Sequence, residues 1–392
     1  MFSKSNCNVA GLTEFCNLFP GSEGQDNFVE AIATYQVALD SGCSSANIFF
    51  NLGCLLQDRG QVDEAIASYQ SAIDAGYSST DIYFDLGCLF QDKGQIDKAI
   101  ASYRSSLVCD PQNHRAKLNL VMAQLPIIYR DQDEIEFKRS SYQDHLLELA
   151  NYYRCTSEAE RSAAADLVGA TQPFYLAYQG LCDRDLQQTY GSLLHLLMSS
   201  RYPKWCQPLS IKTLKEKRKI RLGFVSGFFN AHSVWKIPLQ GWLDNLDRSE
   251  FELFGYFTGS RSDNITKKAA KAFDRFEYNC VSVEEWAEKI VEDNLDVLVF
   301  PEFGMDSMTV RIGCLRLAPL QVAFGGHPET SGLPTIDYHL SSDLMEPAQA
   351  QSHYTEKLVR LPNLAVCYQH LPIKPKLVTK EEIGLQLSLI HI

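Results

Sequence analysis

The chain has 392 residues, 45% hydrophobic and 21% charged, with 36 Lys and Arg against 48 Asp and Glu, a formal net charge of −12. That length suggests two or three domains, and the composition supplies ample core, which excludes disorder for most of the chain. The acidic balance argues against a broad nucleic-acid-binding surface, and no run of about 18 apolar residues marks a membrane span.

Residues 1–20 carry a single Lys4 and no apolar block of the signal-peptide kind. The 12 cysteines are scattered and contain no C-x-x-C pair, so neither a disulfide framework nor a zinc module is expected. With no export signal they read as reduced thiols of a cytoplasmic protein.

Two segments match at a spacing of 34 residues: Ile48-Phe-Phe-Asn-Leu-Gly-Cys-Leu-Leu-Gln-Asp-Arg-Gly60 and Ile82-Tyr-Phe-Asp-Leu-Gly-Cys-Leu-Phe-Gln-Asp-Lys-Gly94. Downstream, Asp63-Glu-Ala-Ile-Ala-Ser-Tyr69 matches Asp97-Lys-Ala-Ile-Ala-Ser-Tyr103, and Val29-Glu-Ala-Ile-Ala-Thr-Tyr35 is an earlier copy. The period and pattern resemble tetratricopeptide repeats, with about three good copies and a degenerate fourth from Ala116. Each copy is expected to be two amphipathic helices. Leu52, Ile66 and Tyr69 face inward, Gly53 and Ala65 allow close approach, and Gly60 and Gly94 end the first helix. Cys54 and Cys88 are expected to fill small core positions. One pair cannot bury its apolar face, so the copies stack. The residue before each repeat Leu is Asn17, Asn51, Asp85 and Asn119. On the concave face such a ladder suits the backbone of an extended acceptor peptide; the alternative is a polar residue that only caps or decorates an exposed face.

Residues 117–208 read as helical, with apolar residues at three- and four-residue steps in 134–153, 158–168 and 183–199. The aromatic stretch 173–179 reads as an inter-domain seam, a stacking site for a base or sugar being the alternative. A basic run follows at Lys212, Lys215, Lys217, Arg218, Lys219 and Arg221. It leads into an apolar segment, so a solvated domain start is favoured over a polyanion site.

Beyond it the period changes. Strands are expected at 219–226, 251–257, 295–300 and 320–324, with helices at 235–246, 265–272 and 283–293. This alternation implies a parallel sheet covered on both faces, with ligands outside the strands' carboxyl ends. Three loops fall there: 227–234 with His232, 301–306 with Glu302, and 325–332 with Gly325, Gly326 and His327. Glycines let backbone amides approach a ligand, and His serves as acid, base or donor near neutral pH. A single loop His proves little; two His and one Glu at the ends of one sheet make a candidate catalytic set. No phosphate-loop, dinucleotide or metal motif is present, so no metal or cofactor is expected. His114, His145 and His195 lie in helical text and receive no role.

The combination of repeats with 221–234, 295–299, 316–338 and 354–362 resembles the O-GlcNAc transferase and Spindly family of glycosyltransferases. The resemblance implies an α plus α/β chain: a tetratricopeptide superhelix over 1–125, a helical connector over 126–218, and the N-terminal Rossmann-like lobe of a two-lobed GT-B transferase over 219–375. It implies transfer of a sugar, usually GlcNAc from UDP-GlcNAc, to Ser or Thr of polypeptides held by the repeats. His232 falls on the family's active-site histidine, contacting the acceptor hydroxyl or the donor phosphate. Gly326 and Pro328 match the Gly-x-Pro loop, where His327 replaces a frequent Tyr; Gly325, Thr330 and Ser331 join them on the donor side. Phe228 stands where the family usually has Asp, and the 300–306 loop also departs, which suggests a bacterial-type branch. A peptide-binding scaffold, or an O-fucosyltransferase using GDP-fucose, is the alternative. The second lobe is not in the text, and 387–392 reads as a translated adaptor end. A truncated, inactive fragment is therefore expected, with 376–392 its tail.

Overall fold

A computed structural model describes residues 25–42, 45–210, 218–326 and 330–368, with Lys376, Val378, Thr379 and Glu382. Asn17, His327, Pro328, Lys212, Lys215, Lys217 and the 387–392 tail lie outside the described residues.

The repeats fold into helices α1 (Gln25–Asp40), α2 (Ala46–Asp58), α3 (Val62–Asp74), α4 (Thr80–Asp92), α5 (Ile96–Cys109) and α6 (His114–Met122). The N-caps recur. Ser45, Ser79 and Asn113 accept the amides of Ile48, Ile82 and Ala116 at 3.4, 3.3 and 3.1 Å, partnering donors that a first turn leaves open. Gly60 and Gly94 adopt φ of +70° and +68° where α2 and α4 stop. A Cβ on Gly53 would stand 2.6 Å from the Tyr69 ring, and one on Gly87 would stand 2.4 Å from Tyr103. The repeat therefore needs glycine where the partner helix lays its ring. Those phenols donate to Gln57 and Gln91, 2.8 Å each. Cys54 and Cys88 pack against the edge of the repeat core rather than in its centre. They are half-buried, their sulfurs 3.5 and 3.6 Å from the same hydroxyls, because glycine and the buried Ala65 and Ala99 take the tight positions.

The connector comprises α7 (Gln132–Cys155), α8 (Glu158–Ala164) and α9 (Arg184–Arg201). Helix α6 belongs to two cores: Ala116 packs with the repeats, and Leu118, Val121 and Met122 with the connector. The aromatic stretch forms a 3₁₀ segment, Phe174–Gln179. Its three-residue period buries Leu176 and Gln179 but leaves Phe174 and Tyr178 39% and 68% exposed, so only one edge is a seam.

Seven strands follow: β1 (Ile220–Ser226), β2 (Phe251–Phe257), β3 (Arg275–Glu277), β4 (Val297–Phe300), β5 (Leu320–Phe324), β6 (Tyr338–Ser342) and β7 (Lys357–Leu361). They pair in parallel in the order β3-β2-β1-β4-β5-β6-β7. Alternate residues serve opposite cores. Val225, Phe254, Leu298 and Ala323 face the connector side, whereas Phe224, Leu253, Val299 and Val322 face the layer containing Trp235 and Leu243. Strand β4 starts at Val297 because Asp296 is used as a cap. It accepts the Arg221 amide at 2.9 Å and the Arg218 guanidinium at 2.6 and 2.7 Å. Arg221 also pairs with Glu252 at 3.1 Å, so these two members of the basic run serve the domain start.

The remaining elements here are a π-helical turn (Trp235–Leu239) leading into α10 (Gln240–Asn245), then α11 (Asn264–Ala270), α12 (Val283–Glu292), α13 (Ser307–Gly313) and a 3₁₀ turn (Ala350–His353). Strand order reverses between β1 and β4, which opens a crevice at their carboxyl ends.

Candidate active site at the carboxyl ends of the strands

His232 sits on the loop after β1, its ring stacked on Phe228 at 4.2 Å. Its Nδ1 accepts the Val234 amide at 3.2 Å. A neutral ring held this way carries its proton on Nε2 and offers a donor there. Burial, then the charge of Lys236, lowers its pKa, which favours that neutral form. The loop is tied to the next one: Asn230 donates to the Arg261 carbonyl at 3.1 Å, and Asp263 accepts the Ala231 amide at 2.9 Å.

Glu302, after β4, is fully buried. Its Oε1 accepts the Gly227 amide at 2.8 Å, and among the described residues Oε2 has no hydrogen-bond partner. Burial pushes the carboxyl up to about 8, so it is largely protonated at neutral pH. Its side chain lies beneath the loops and acts on the site through Gly227. Close backbone approach surrounds it. A Cβ on Gly326 would stand 2.5 Å from Glu302 Cα, one on Gly227 2.9 Å from Asp306 Cγ, and one on Gly259 2.2 Å from the Gly227 carbonyl. Asp306 also accepts from the Thr258 hydroxyl at 3.0 Å and the Thr309 amide at 2.8 Å. Four loops thus interlock through glycines.

Gly325 and Gly326, at φ of +55° and +72°, form the turn after β5. Thr330 and Ser331 are 4% and 9% exposed. Both hydroxyls bond to the buried Glu356, which also accepts the Ser331 amide at 2.8 Å. The Thr355 amide donates to Thr330 Oγ1 at 3.0 Å. These two residues anchor the loop inward.

Two cavities flank the His232 loop. One of about 340 Å³ lies between His232, Phe228, Arg261 and Asp306. The other, about 400 Å³, lies between Val234, Met305, Phe324, Gly325, Gly326 and β6. Sequence reasoning assigned no role to Asp306, Asp263 or Glu356. Asp306 ends the 301–306 loop, Asp263 precedes a helix by cap spacing, and Glu356 lies in the 354–362 block. The bonds that tie the loops together run to Thr258, Ala231 and Ser331, which are far away in the chain, so local text did not reveal them.

On the repeats, Asn51 donates to the Tyr35 hydroxyl at 3.3 Å. Asp85 is half-buried, and burial lifts its carboxyl to about 6 against the pull of Arg115. The Arg115 guanidinium lies 4.1 Å from the Phe84 ring centroid. Asn119, on α6, is also half-buried.

Residues 203–386 match the model of glycosyl transferase family 41, and residues 50–120 match a tetratricopeptide repeat model. A repeat superhelix thus runs into a doubly wound parallel lobe, and the lobe is the part that resembles a glycosyltransferase. Each match covers less than half of the chain, and together they make it similar to the tetratricopeptide-containing O-GlcNAc transferase and Spindly proteins. It is 29% identical over 166 residues to the probable UDP-N-acetylglucosamine–peptide N-acetylglucosaminyltransferase SPINDLY of Arabidopsis thaliana, 40% of this chain and 18% of that one. It is 27% identical over 173 residues to the UDP-N-acetylglucosamine–peptide N-acetylglucosaminyltransferase of Caenorhabditis elegans, 43% of this chain and 15% of that one. The chain therefore spans less than a fifth of the length of these two relatives. A solved mutant O-GlcNAc transferase of Thermobaculum terrenum aligns over 93% of this chain and 59% of that one, at 19% identity and a TM-score of 0.49.

Proposed function

We propose that this chain carries the acceptor-holding repeats and first lobe of a protein O-glycosyltransferase that moves GlcNAc from UDP-GlcNAc to Ser or Thr hydroxyls. The observation that carries the reading is the family 41 match over residues 203–386, which contains the crevice loops with His232, Gly325 and Gly326. The activity for which the relatives above are named supplies the sugar.

In this reading His232 acts as a donor. Its Nδ1 is engaged by Val234, so Nε2–H is the group offered to an acceptor hydroxyl or a donor phosphate oxygen. A donor fixed by the backbone stabilises charge on an oxygen without reorganising during reaction. Gly325 and Gly326 let main-chain amides approach the same region. The resemblance assigns His327 and Pro328, which lie outside the described residues, to the donor side, and no metal or cofactor enters the chemistry. Glu302 sets the loop from below. Asn51, Asp85 and Asn119 hold the acceptor polypeptide; Asn17 shares their repeat position in the sequence but lies outside the described residues. Free thiols throughout the described residues support a reducing, cytoplasmic setting. No described helix is long and apolar enough to cross a membrane.

The test uses the full-length gene product with radiolabelled UDP-GlcNAc, UDP-GalNAc and GDP-fucose and a Ser/Thr peptide pool. Label from UDP-GlcNAc on peptide, reduced at least about 100-fold by His232→Ala, is the expected result. Label from GDP-fucose alone changes the donor, and label from none leaves the scaffold reading.

A further inference from the structure

The larger cavity has a chemistry that the reading above does not use. Its far wall is β6 and the turn after it, and the returning 364–368 segment closes one side. Around the mouth stand Met345, Leu364 and Tyr368, which are 70%, 44% and 67% exposed, an apolar collar open to solvent. Inside is a carboxylate. Glu346 Oε1 accepts the Ser341 hydroxyl at 2.7 Å and the Tyr354 hydroxyl at 2.6 Å. Both donors converge on one oxygen, which orients the group. Beside them His339 also lines the cavity, its ring 4.8 Å from that of Tyr354. His339 is 4% exposed, and among the described residues its Nδ1 has no hydrogen-bond partner. Burial lowers its pKa against the pull of Glu356 and Glu346, so the ring is neutral and has a lone pair to offer.

An apolar collar above a fixed carboxylate and an unmatched imidazole nitrogen suits a long aliphatic stem ending in a cationic donor. We propose that this cavity is a subsite for a Lys or Arg side chain of the acceptor polypeptide, its stem against the collar and its head on Glu346 and His339. The proposal rests on the transferase reading only for the word acceptor. The cavity shares Val234, Gly325 and Gly326 with the crevice, so the recognised residue lies close in sequence to the modified hydroxyl.

The test is direct binding. Fluorescent Ser-containing peptides carry Lys, Arg, norleucine or Glu at successive positions near the Ser, and Kd is read by anisotropy on the 392-residue chain. Lys and Arg peptides bind about tenfold more tightly than norleucine at one or two positions, the scale of one charge-assisted contact. Glu346→Gln brings that ratio near one, and Glu346→Lys shifts preference toward Glu peptides. Asp343→Asn removes an equal charge just outside the cavity and leaves the ratio unchanged, which separates the pocket from the general acidity of the chain. Equal affinity for Lys and norleucine, or a preference that survives both Glu346 variants, overturns the proposal. The same peptides are offered for sugar transfer with the full-length product. Selective binding without transfer sinks the transferase reading alone; transfer without cation preference sinks the subsite alone.

Discussion

The Gly227 amide donates to the Glu302 carboxyl across 2.8 Å, tying the end of β1 to the end of β4 beneath the His232 loop. The acid is held at about 8 by burial, against an ordinary value of 4.5. Between those values the unfolded chain releases a proton that the folded chain keeps. The stabilising contribution is therefore full below about pH 4.5 and is lost as pH rises through about 8, at up to about 1.4 kcal/mol per pH unit. Glu302→Gln keeps a neutral acceptor and removes this titration. Thermal melts from pH 5 to 8 show a flatter profile for the variant than for the parent, and superimposable profiles refute the assignment.

The glycines of the repeat are tested by addition of one methyl. Gly53→Ala and Gly87→Ala push Cβ into the Tyr69 and Tyr103 rings and destabilise the superhelix by about 1–3 kcal/mol each. Urea titration followed by helical circular dichroism measures the loss. Gly94→Ala meets no neighbour but sits at φ +68°, so its cost of about 1–2 kcal/mol comes from backbone strain alone.

The His232 ring has a definite tautomer. Nitrogen NMR at neutral pH finds the proton on Nε2, with a pKa below 6.5 because burial and Lys236 both disfavour the cation. Its folded pKa is depressed, so its contribution to stability is present above 6.5 and is lost as pH falls through the folded value. A proton on Nδ1 at neutral pH refutes the donor role drawn for Nε2.

Asp85 breaks the row of asparagines, and burial lifts its pKa from 3.8 to about 6. Its protonated form is favoured in the fold, so its contribution is full below about pH 3.8 and is lost as pH rises through about 6. Asp85→Asn restores the neighbouring residue type. The variant melts higher than the parent at pH 7.5, and the difference shrinks at pH 4.5. A difference independent of pH contradicts this account.

Much of the fold was legible because the physics was local. The 34-residue period encodes ring-on-glycine packing, and β2 and β5 are apolar runs buried on both faces, so their ends were read to the residue. Strand β7, Lys-Leu-Val-Arg-Leu, ends the sheet and interrupts its apolar residues with two charges, and β6 reads Tyr-His-Leu-Ser-Ser; neither has a buried run. Strand β3 has three residues, too few for a period. In the site, loop position revealed His232 and the glycines. The inward turn of Thr330 and Ser331 was hidden, because Glu356 lies 26 and 25 residues further along.

Helix α6 is only nine residues long, yet one face completes the repeat core and another joins the connector core that continues into the sheet. Such a helix is a keystone. On the transferase reading, a polypeptide seated on the ladder is measured against the crevice by a frame without a free joint. The number of residues between its docked segment and its reacting hydroxyl is then set by the architecture, as a ruler sets a length.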